Sequence, residues 1–283
     1  MTEELPKSPP VSPQEIQVLA QELLTAYETG QTIPTLPSAR PDFDLNAAYE
    51  VESTLRGFRE ASGHRRAGRK VGYANKAMWR VFKLETLVWA HMYDDTVHYS
   101  SNSHASIMIA HPRSLKIEPE IVFCLKHPIA ASGLDDGAAL ASVEWLALGF
   151  EIIDCPYPQW KFQPSDFVAS FGLHAALVVG AKMQVTSDLI PKLVEELPRF
   201  TLRMSKNGEF VEEGAGRNSL RSPALCLAEL GAAIARRFPG ELLSAGELIS
   251  SGTLTAGHET TKGDQWTAEV NGIALPPLTL RLT

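Results

Sequence analysis

The sequence predicts an α+β protein in which a small helical N-terminal region, residues 12–66, precedes a β-rich body, residues 67–283. Two observations carry this prediction. Before residue 66, apolar residues recur at helical spacing in two stretches. After it, short alternating or β-branched runs are separated by Gly, Pro and Asn-Gly pairs, which is typical of strands joined by turns. Residues 1–11 are proline-containing and lack an apolar run, so they are expected to form a flexible leader.

Both helices of the N-terminal region have recognisable ends. The tetrapeptide Ser-Pro-Gln-Glu at residues 12–15 is a capping box with proline at the first helical position. The helix that follows should end near Gly30. A second helix is expected from about Asp44 to a stop at Gly63, with its apolar side chains on one face.

The β-rich body is expected to be antiparallel, with hairpins at two Asn-Gly pairs. These pairs, at residues 207–208 and 271–272, suit two-residue turns because both central residues take positive φ. Helices should interrupt the body over residues 136–146 and from Ser222-Pro223 to about Arg237.

Composition excludes several classes of function. The net charge is −7 and no Lys/Arg block is long enough to follow a phosphate backbone, so nucleic acid is not an expected partner. Three widely spaced cysteines indicate neither a disulfide framework nor a thiolate metal site. No stretch has the roughly 18 apolar residues that a membrane span needs. We therefore expect a cytoplasmic protein without a membrane partner.

Two glutamates lie two residues apart in a predicted strand. The segment Lys-Ile-Glu-Pro-Glu-Ile-Val-Phe at residues 116–123 is typical of a strand, in which Glu118 and Glu120 project from the same face. Neighbouring carboxylates repel each other unless water screens them or a cation lies between them. From this pair alone, a solvated strand face is the more common explanation.

A third glutamate shifts the interpretation toward a metal site. Glu151 lies in the apolar run of residues 146–154, which predicts a buried strand where an unpaired charge is costly. Three carboxylates with open positions for water and substrate suit a hard cation. Zinc is disfavoured because no His or Cys occurs at ligand spacing nearby. The sequence therefore predicts a Mg²⁺ or Mn²⁺ site formed by Glu118, Glu120 and Glu151.

Two lysines are candidates for chemistry beside the metal. Lys70 lies at a strand start between two glycines, and Lys161 lies between two aromatic residues. Either could pair with a carboxylate, or could exchange protons with a substrate carbon once burial lowers its pKa. The alternative, a surface lysine whose stem covers apolar neighbours, is the more common one.

Other candidates are less distinctive. Asp166 follows a Pro-Ser turn and suits either a helix cap or a base. The run of residues 249–255 includes Gly252 and Thr253 and could present N–H groups to an anionic group, although such runs are also ordinary turns. The histidines, His91 among them, show no spacing that distinguishes a ligand from an interior or surface residue.

The order of these motifs resembles the fumarylacetoacetate hydrolase superfamily, and within it the 2-oxopent-4-enoate hydratase and 4-oxalocrotonate decarboxylase branch. The likeness runs from about Gly68 to the C-terminus, and Glu-x-Glu followed by a distant Glu is its most specific element. It is carried by Gly-Arg-Lys-Val-Gly at 68–72, Lys-Ile-Glu-Pro-Glu-Ile at 116–121, Glu-Ile-Ile-Asp at 151–154, Trp-Lys-Phe at 160–162 with Asp166, and Ser-Gly-Thr-Leu-Thr at 251–255 with Lys-Gly-Asp ending at Asp264.

The resemblance implies a β-rich roll of mixed sheets around a central core, a catalytic domain over residues 67–283 and a homo-oligomer. It implies Mg²⁺ or Mn²⁺ on the three glutamates, with a small 2-oxo acid chelating the cation through its 1-carboxylate and 2-oxo oxygens. Lys70 would lie close enough to shuttle protons. The Lys161-Phe162 pair is like that of the decarboxylases, which favours decarboxylation over hydration.

Two segments depart from the resembled branch. His91 stands where the branch usually has Asp, and residues 169–173 replace a polar segment that normally lines the substrate pocket. Phe171 and Leu173 in that segment are expected to contact the substrate and to make its pocket more apolar.

Three functions are compatible with these features. The leading hypothesis is a metal-dependent lyase that decarboxylates or hydrates an unsaturated 2-oxo acid through a metal-stabilised enolate or dienolate. The second is an acylpyruvate-type C–C bond hydrolase, for which His91 or Asp166 would have to activate water. The third is a binding protein that keeps the cation and the oligomer but has lost catalysis.

Overall fold

The computed structural model describes residues 11–40, 42–129 and 133–283, which form an α+β fold as the sequence predicts. The α-helices are α1 (Pro13–Thr29), α2 (Leu45–Ala61), α3 (Lys76–Phe82), α4 (Asp136–Ala141), α5 (Pro164–Ala169), α6 (Ile190–Glu196) and α7 (Pro223–Arg237). The strands are β1 (Arg66–Gly72), β2 (Val88–Tyr93), β3 (Val97–Tyr99), β4 (His104–Ile107), β5 (Leu115–Leu125), β6 (Val143–Asp154), β7 (His174–Val179), β8 (Met183–Gln184), β9 (Thr201–Lys206), β10 (Glu209–Ala215), β11 (Leu248–Ser250), β12 (His258–Thr260), β13 (Gln265–Asn271) and β14 (Leu278–Leu282). No helix in these described ranges is long and apolar enough to cross a membrane.

The two N-terminal helices have the predicted ends. Ser12 and Glu15 form the reciprocal capping box of α1, and Gly30 ends the helix with a left-handed φ of 72°. Asp44 caps α2 by accepting hydrogen bonds from the first backbone N–H groups. Of the predicted leader at residues 1–11, residues 1–10 lie outside the described residues.

The larger sheet has the strand order β2-β1-β11-β5-β6-β7-β3, with β12 beside β5 and β8 beside β6. The long antiparallel pair of β5 and β6 forms its centre. The expectation of an antiparallel body is only partly right, because β1 pairs with β11 and β3 with β7 in parallel. Such pairings join segments far apart in the chain, and local turn signals carry no information about them.

The smaller sheet has the order β10-β9-β13-β14-β4. Its first hairpin turns at Asn207-Gly208 as predicted, with both residues at positive φ. The second predicted hairpin is present, because β13 pairs antiparallel with β14, but its two-residue turn is wrong: Asn271 is the last residue of β13, and a loop of residues 272–277 leads to β14. Pro276 and Pro277 precede β14 and have no N–H to donate to a strand ladder, which is consistent with the longer loop.

Of the helices within the body, some agree with the sequence prediction and others do not. The helix over Pro223–Arg237 is confirmed. The helix expected over residues 136–146 ends at Ala141, because β6 begins at Val143 and pairs with β5. Helices α3, α5 and α6 were not predicted, since six or seven residues are too few to show a helical period.

One hydrophobic core connects the helical region with the body. Leu19 of α1 and Leu55 of α2 belong to the same cluster of buried side chains as Ile117 of β5 and Phe150 of β6. Helix α2 also packs against α5. The N-terminal helices therefore cover the sheet that carries the candidate site.

Candidate metal centre and adjoining pocket

The three glutamates predicted from the sequence converge at the centre of the larger sheet. Glu118 and Glu120 alternate along β5 and so project from one face, and Glu118 lies directly opposite Glu151 of β6. One carboxylate oxygen of each residue lies within 4.8 Å of the others. Register between two adjacent strands, rather than sequence proximity, brings Glu151 to the pair.

Burial makes this grouping electrostatically costly. Glu151 is 0% and Glu120 1% exposed, and Glu118 is partly buried. Desolvation raises the pKa of Glu118 to about 7, opposed by the positive charge of Lys70 and reinforced by the charge of Glu151. Desolvation and the charges of the other two glutamates raise the pKa of Glu120 well above its usual range. A cation would relieve both effects.

Glu120 has one oxygen fixed by the protein and one oxygen free. Its Oε2 accepts hydrogen bonds from Ser250 Oγ at 2.5 Å and from the Gly252 N–H at 2.8 Å. Its Oε1 is buried and has no hydrogen-bond partner among the described residues. A buried carboxylate oxygen without a partner is a candidate ligand atom, because leaving it unpaired is otherwise costly.

Two side chains hold Glu151: His174 by a hydrogen bond and Lys70 by an ion pair. His174 Nδ1 is 2.8 Å from Glu151 Oε1, and its Nε2 is 3.0 Å from Thr96 Oγ1. Lys70 Nζ is 3.0 Å from Glu151 Oε2. Burial would raise the pKa of Glu151, but the charge of Lys70 and the hydrogen bond with His174 outweigh it and lower the pKa. Sequence reasoning missed His174, whose spacing carried no signal.

Lys70 is itself buried, and three groups fix its ammonium. Besides the ion pair with Glu151, Nζ donates to the Gly172 carbonyl at 3.0 Å and lies 4.7 Å from the centre of the Phe167 ring. The expectation that burial lowers the pKa of Lys70 is wrong: burial opposes its charge, but the three glutamates outweigh this effect and raise the pKa. Gly172 has φ 60°, and a Cβ there would come within 2.6 Å of Lys70 Cδ, so glycine is needed at this position.

These residues fit Mg²⁺ or Mn²⁺. The donor set consists of carboxylate oxygens, which both cations prefer, and Glu120 Oε1 lacks any other partner among the described residues. A second group of possible ligands, His64 with Asp94 and Asp95, is exposed or half-buried at the surface. Its two carboxylates already pair with arginine side chains, so it is a weaker candidate.

A pocket of about 780 Å³ opens beside the glutamates. Lys70 and Glu118 line its inner end, and Gly252, Thr253 and Leu173 contribute to its walls. The structure therefore brings together the three glutamates, Lys70 and three of the four residues expected to contact substrate.

The fourth of these residues, Phe171, does not contact the pocket. It lies outside the pocket lining and packs on Tyr27 at 4.5 Å between ring centres. Its backbone is left-handed, with φ 54°, as are those of Gly172 and Leu173. Three consecutive left-handed residues reverse the chain, which no alternating pattern could have predicted.

His91 lies on the other face of the sheet from Lys70. On β2 it is the register partner of Arg69, whereas Lys70 pairs with Ala90, and neighbouring strand residues project to opposite faces. Its Nδ1 is 2.5 Å from Glu52 Oε1 of α2, and the ring borders a different cavity. The structure thus does not bring His91 to the glutamates.

Asp166 and Lys161 also lie outside the lining of the pocket beside the glutamates. Asp166 forms a capping box with Gln163 at the start of α5, and both of its carboxylate oxygens accept hydrogen bonds from Ser38. Of the two roles considered for Asp166, helix cap and base, these contacts support the cap. Lys161 is exposed and is not among the residues lining the pocket, although Trp160 and Phe162 on either side are.

Comparison with curated proteins finds relatives over nearly the whole chain. The 4-oxalocrotonate decarboxylase of Pseudomonas sp. (strain CF600) is 30% identical over 263 residues, covering 92% of this chain and 94% of the relative. The 2-hydroxyhexa-2,4-dienoate hydratase of Comamonas testosteroni is 27% identical over 76% of this chain and 79% of the relative. A scan against models of protein families found no match.

Solved structures agree with these relatives. The 4-oxalocrotonate decarboxylase from Pseudomonas putida G7, complexed with magnesium and adipate, superposes with a TM-score of 0.87 at 26% identity, covering 98% of this chain and all of the other. Fumarylpyruvate hydrolase from Pseudomonas aeruginosa, in complex with Mn²⁺ and pyruvate, shares the fold with a TM-score of 0.56 at 16% identity, over 77% of this chain and 89% of that one.

Sequence likeness over nearly the full length and close structural superposition thus lead to one assignment. The chain belongs to the fumarylacetoacetate hydrolase superfamily, in the branch of the 4-oxalocrotonate decarboxylases and 2-keto-4-pentenoate hydratases.

Proposed function

We propose that this chain, a metal-dependent lyase of the 2-oxo acid decarboxylase and hydratase type with Mg²⁺ or Mn²⁺ as its cofactor, holds a small unsaturated 2-oxo acid at the inner end of the 780 Å³ pocket. The observation that carries the proposal is the convergence of Glu118, Glu120 and Glu151 on one buried point, with Lys70 beside them.

In this proposal the three glutamates are the metal ligands. The carboxylate set and the unpaired Glu120 Oε1 support this assignment. When bound, the cation supplies a Lewis acid that polarises the substrate carbonyl and stabilises negative charge developing on its oxygen. The hydrogen bonds to Glu120 from Ser250 and Gly252, and to Glu151 from His174, keep the ligand carboxylates in place.

Lys70 is the proposed proton-transfer group. Its ammonium is fixed by Glu151 and the Gly172 carbonyl at the pocket wall, so a proton is held at a defined atom, Nζ, facing the substrate space. The neighbouring glutamates raise the pKa of Lys70, so its nitrogen carries a proton, and we propose that Lys70 donates this proton to a substrate carbon.

Hydrolysis of a C–C bond is less well supported. That reaction needs a base positioned for water, and the two candidates were His91 and Asp166. The first lies across the sheet and the second caps α5. The alternative of a binding protein without catalysis is likewise disfavoured, because the lysine at the metal end is retained and lines an open pocket.

The choice between decarboxylation and hydration no longer depends on Lys161. The resemblance of the Lys161-Phe162 pair to the decarboxylases was the argument for decarboxylation. The Lys161 side chain, however, is exposed and does not line the pocket. The relatives include enzymes named for both reactions, 4-oxalocrotonate decarboxylase and 2-keto-4-pentenoate hydratase. The proposal therefore covers both until substrates are compared directly.

Two further parts of the proposal concern organisation. Residues 67–283 are proposed as the catalytic domain, and the glutamates, Lys70 and the pocket residues all fall within them. Assembly as a homo-oligomer is proposed from the resemblance to the branch; sedimentation or light scattering would measure the mass of the particle.

Replacing Glu151 by Gln should weaken Mg²⁺ binding by at least about tenfold, the size of loss typical even of outer-shell partners. The amide cannot supply a charged oxygen to the cation. Isothermal titration calorimetry measures the affinity. Glu144→Gln, on the same strand but exposed, is the matched control and should bind Mg²⁺ normally. Equal affinity in the two variants would contradict the metal site.

Metal affinity should depend on pH through Glu118. Its pKa is raised to about 7, so the carboxyl holds a proton below pH 7, and a cation must displace that proton. Affinity should therefore fall at least about tenfold from pH 8 to pH 6, the loss expected from the Glu118 proton alone, because the pKa of Glu120 is raised as well. Calorimetry in buffers of different ionisation enthalpy would show the released proton. An affinity that is flat or rises toward pH 6 would disagree.

Replacing Lys70 by Met, of similar length but without charge, should lower kcat by about 10²- to 10⁴-fold, the range typical of a lost general acid or base. Mg²⁺ affinity should not fall, because the substitution removes a positive charge beside the ligands. Steady-state kinetics and calorimetry on the same preparation separate the two effects. An unchanged kcat in Lys70→Met would contradict the proposed role of Lys70 in proton transfer.

A panel of three substrates tests the reaction class. With Mg²⁺ present, 2-oxohex-3-enedioate should release CO₂ if the chain decarboxylates, and 2-hydroxypenta-2,4-dienoate should lose its ultraviolet absorbance without CO₂ if it hydrates. Cleavage of an acylpyruvate, with neither of the other two turned over, would contradict the lyase assignment.

A further inference from the structure

The outer half of the pocket is lined by aromatic side chains, which the proposed chemistry at the glutamates does not require. We propose that it is a subsite for an apolar tail, preferably an aromatic ring or a branched or linear hydrocarbon, on the distal carbon of the 2-oxo acid. This inference rests on the proposed function, since it assumes that the oxo-acid end of the ligand lies at the glutamates.

A continuous row of aromatic rings leads outward from Lys70. Its ammonium lies over the Phe167 ring, Phe167 contacts Tyr73 edge to face at 5.6 Å between ring centres, and Tyr73 contacts Phe82 in the same way at 5.3 Å. Phe162 stacks on Phe167 at 6.5 Å. All four rings line the pocket. A ligand that starts at the glutamates therefore extends along an aromatic wall.

The far end of this wall is formed by helix α3, which has no buried residue. Met78, 37% exposed, and Phe82 line the pocket mouth from this helix. The Trp79 indole N–H anchors it by donating to the Tyr73 carbonyl at 2.6 Å. Met78 is exposed and Phe82 partly exposed. Apolar side chains that converge in a cleft and keep some exposure are characteristic of a ligand-binding surface.

The charges along the pocket do not suit an anionic tail on this wall. The cations among the lining residues are Lys70 and Lys116. Lys70 is paired with Glu151, and Lys116 lies over the Trp160 ring, 4.2 Å from its centre, beside Glu118 on β5. The rings of Phe82, Phe162 and Phe167 offer no hydrogen-bond donor to a carboxylate, and the Tyr73 phenol is the single donor among the four rings. The rings provide apolar surface and faces for another ring.

The size of the pocket agrees with a longer ligand. Its volume of about 780 Å³ falls within the range of sites that enclose drug-sized molecules, roughly 300–1,000 Å³. An acid of five or six carbons would leave the aromatic wall in contact with water. A tail that covers the wall removes that apolar surface from water, which is favourable.

The tail also bears on the reaction. An apolar tail lacks the distal carboxylate that could leave as CO₂, so of the two proposed lyase reactions only hydration is open to such a substrate. Water then adds across the conjugated carbon–carbon double bond: its hydroxyl bonds to one carbon, a proton ends on the other, and nothing is released.

Binding of saturated 2-oxo acids to the Mg²⁺-loaded protein tests the subsite without turnover. The ligands are 2-oxopentanoate, 2-oxohexanedioate and 2-oxo-4-phenylbutanoate, which share the chelating end and differ in the tail. Calorimetry should show the phenyl ligand binding at least about tenfold tighter than either of the others. Binding of the diacid as tightly as the phenyl ligand, or tighter, would overturn the proposal.

Two neighbouring variants on α3 locate the effect. Phe82→Ala should weaken the phenyl ligand about tenfold, as expected for loss of an aromatic pair, and change 2-oxopentanoate less than about twofold. Val81→Ala is the matched control, because Val81 is 69% exposed on the same helix and does not line the pocket. Equal losses for both ligands in Phe82→Ala would show a merely structural role and overturn the subsite.

The same titrations separate this inference from the proposed function. If none of the 2-oxo acids binds, the proposed function fails and the subsite with it. If all bind with equal affinity, the oxo-acid site stands and only the tail subsite fails. Tail preference in binding, combined with no turnover of any unsaturated analogue, would support the subsite while contradicting the proposed lyase chemistry.

Discussion

Three carboxylates lie close together on adjacent central strands, two of them fully buried and the third partly buried at a pocket wall, and the rest of the site compensates for their repulsion. Each neighbouring group lowers the cost of that burial in a different way. Ser250 and a backbone N–H bind one oxygen of Glu120, His174 binds one oxygen of Glu151, and Lys70 supplies a positive charge. One oxygen of Glu120 is left without a partner among the described residues. In the proposed site a divalent cation would complete this arrangement, because it can bind that oxygen and neutralise the remaining repulsion.

Strand geometry then decides which residues can share in the chemistry. Adjacent residues of β1 point to opposite faces, so Lys70 enters the pocket while Arg69 joins His91 on the other side. The reversal of the chain at Gly172 turns a carbonyl toward Lys70 and carries Phe171 away from the pocket. The chemical end of the site is consequently polar and rigid, whereas its outer end is aromatic and partly exposed.

The grouping of the three glutamates was predictable from the sequence for a physical reason. Period-two alternation placed Glu118 and Glu120 on one face, and a lone acid in an apolar run marked Glu151 as buried. His174 could not be found in this way, because its contact with Glu151 depends on the pairing of β6 with β7. The face on which His91 lies depends in the same way on strand register, and register is set by distant pairings that no local pattern records.

The assignment of the three glutamates as one metal site is tested most directly by a crystal structure of the protein grown with Mn²⁺ and oxalate, using the anomalous signal of manganese. We expect one strong anomalous peak in contact with carboxylate oxygens of Glu118, Glu120 and Glu151, with oxalate on the side that faces the pocket. A peak elsewhere, or oxalate bound apart from the metal, would contradict the account.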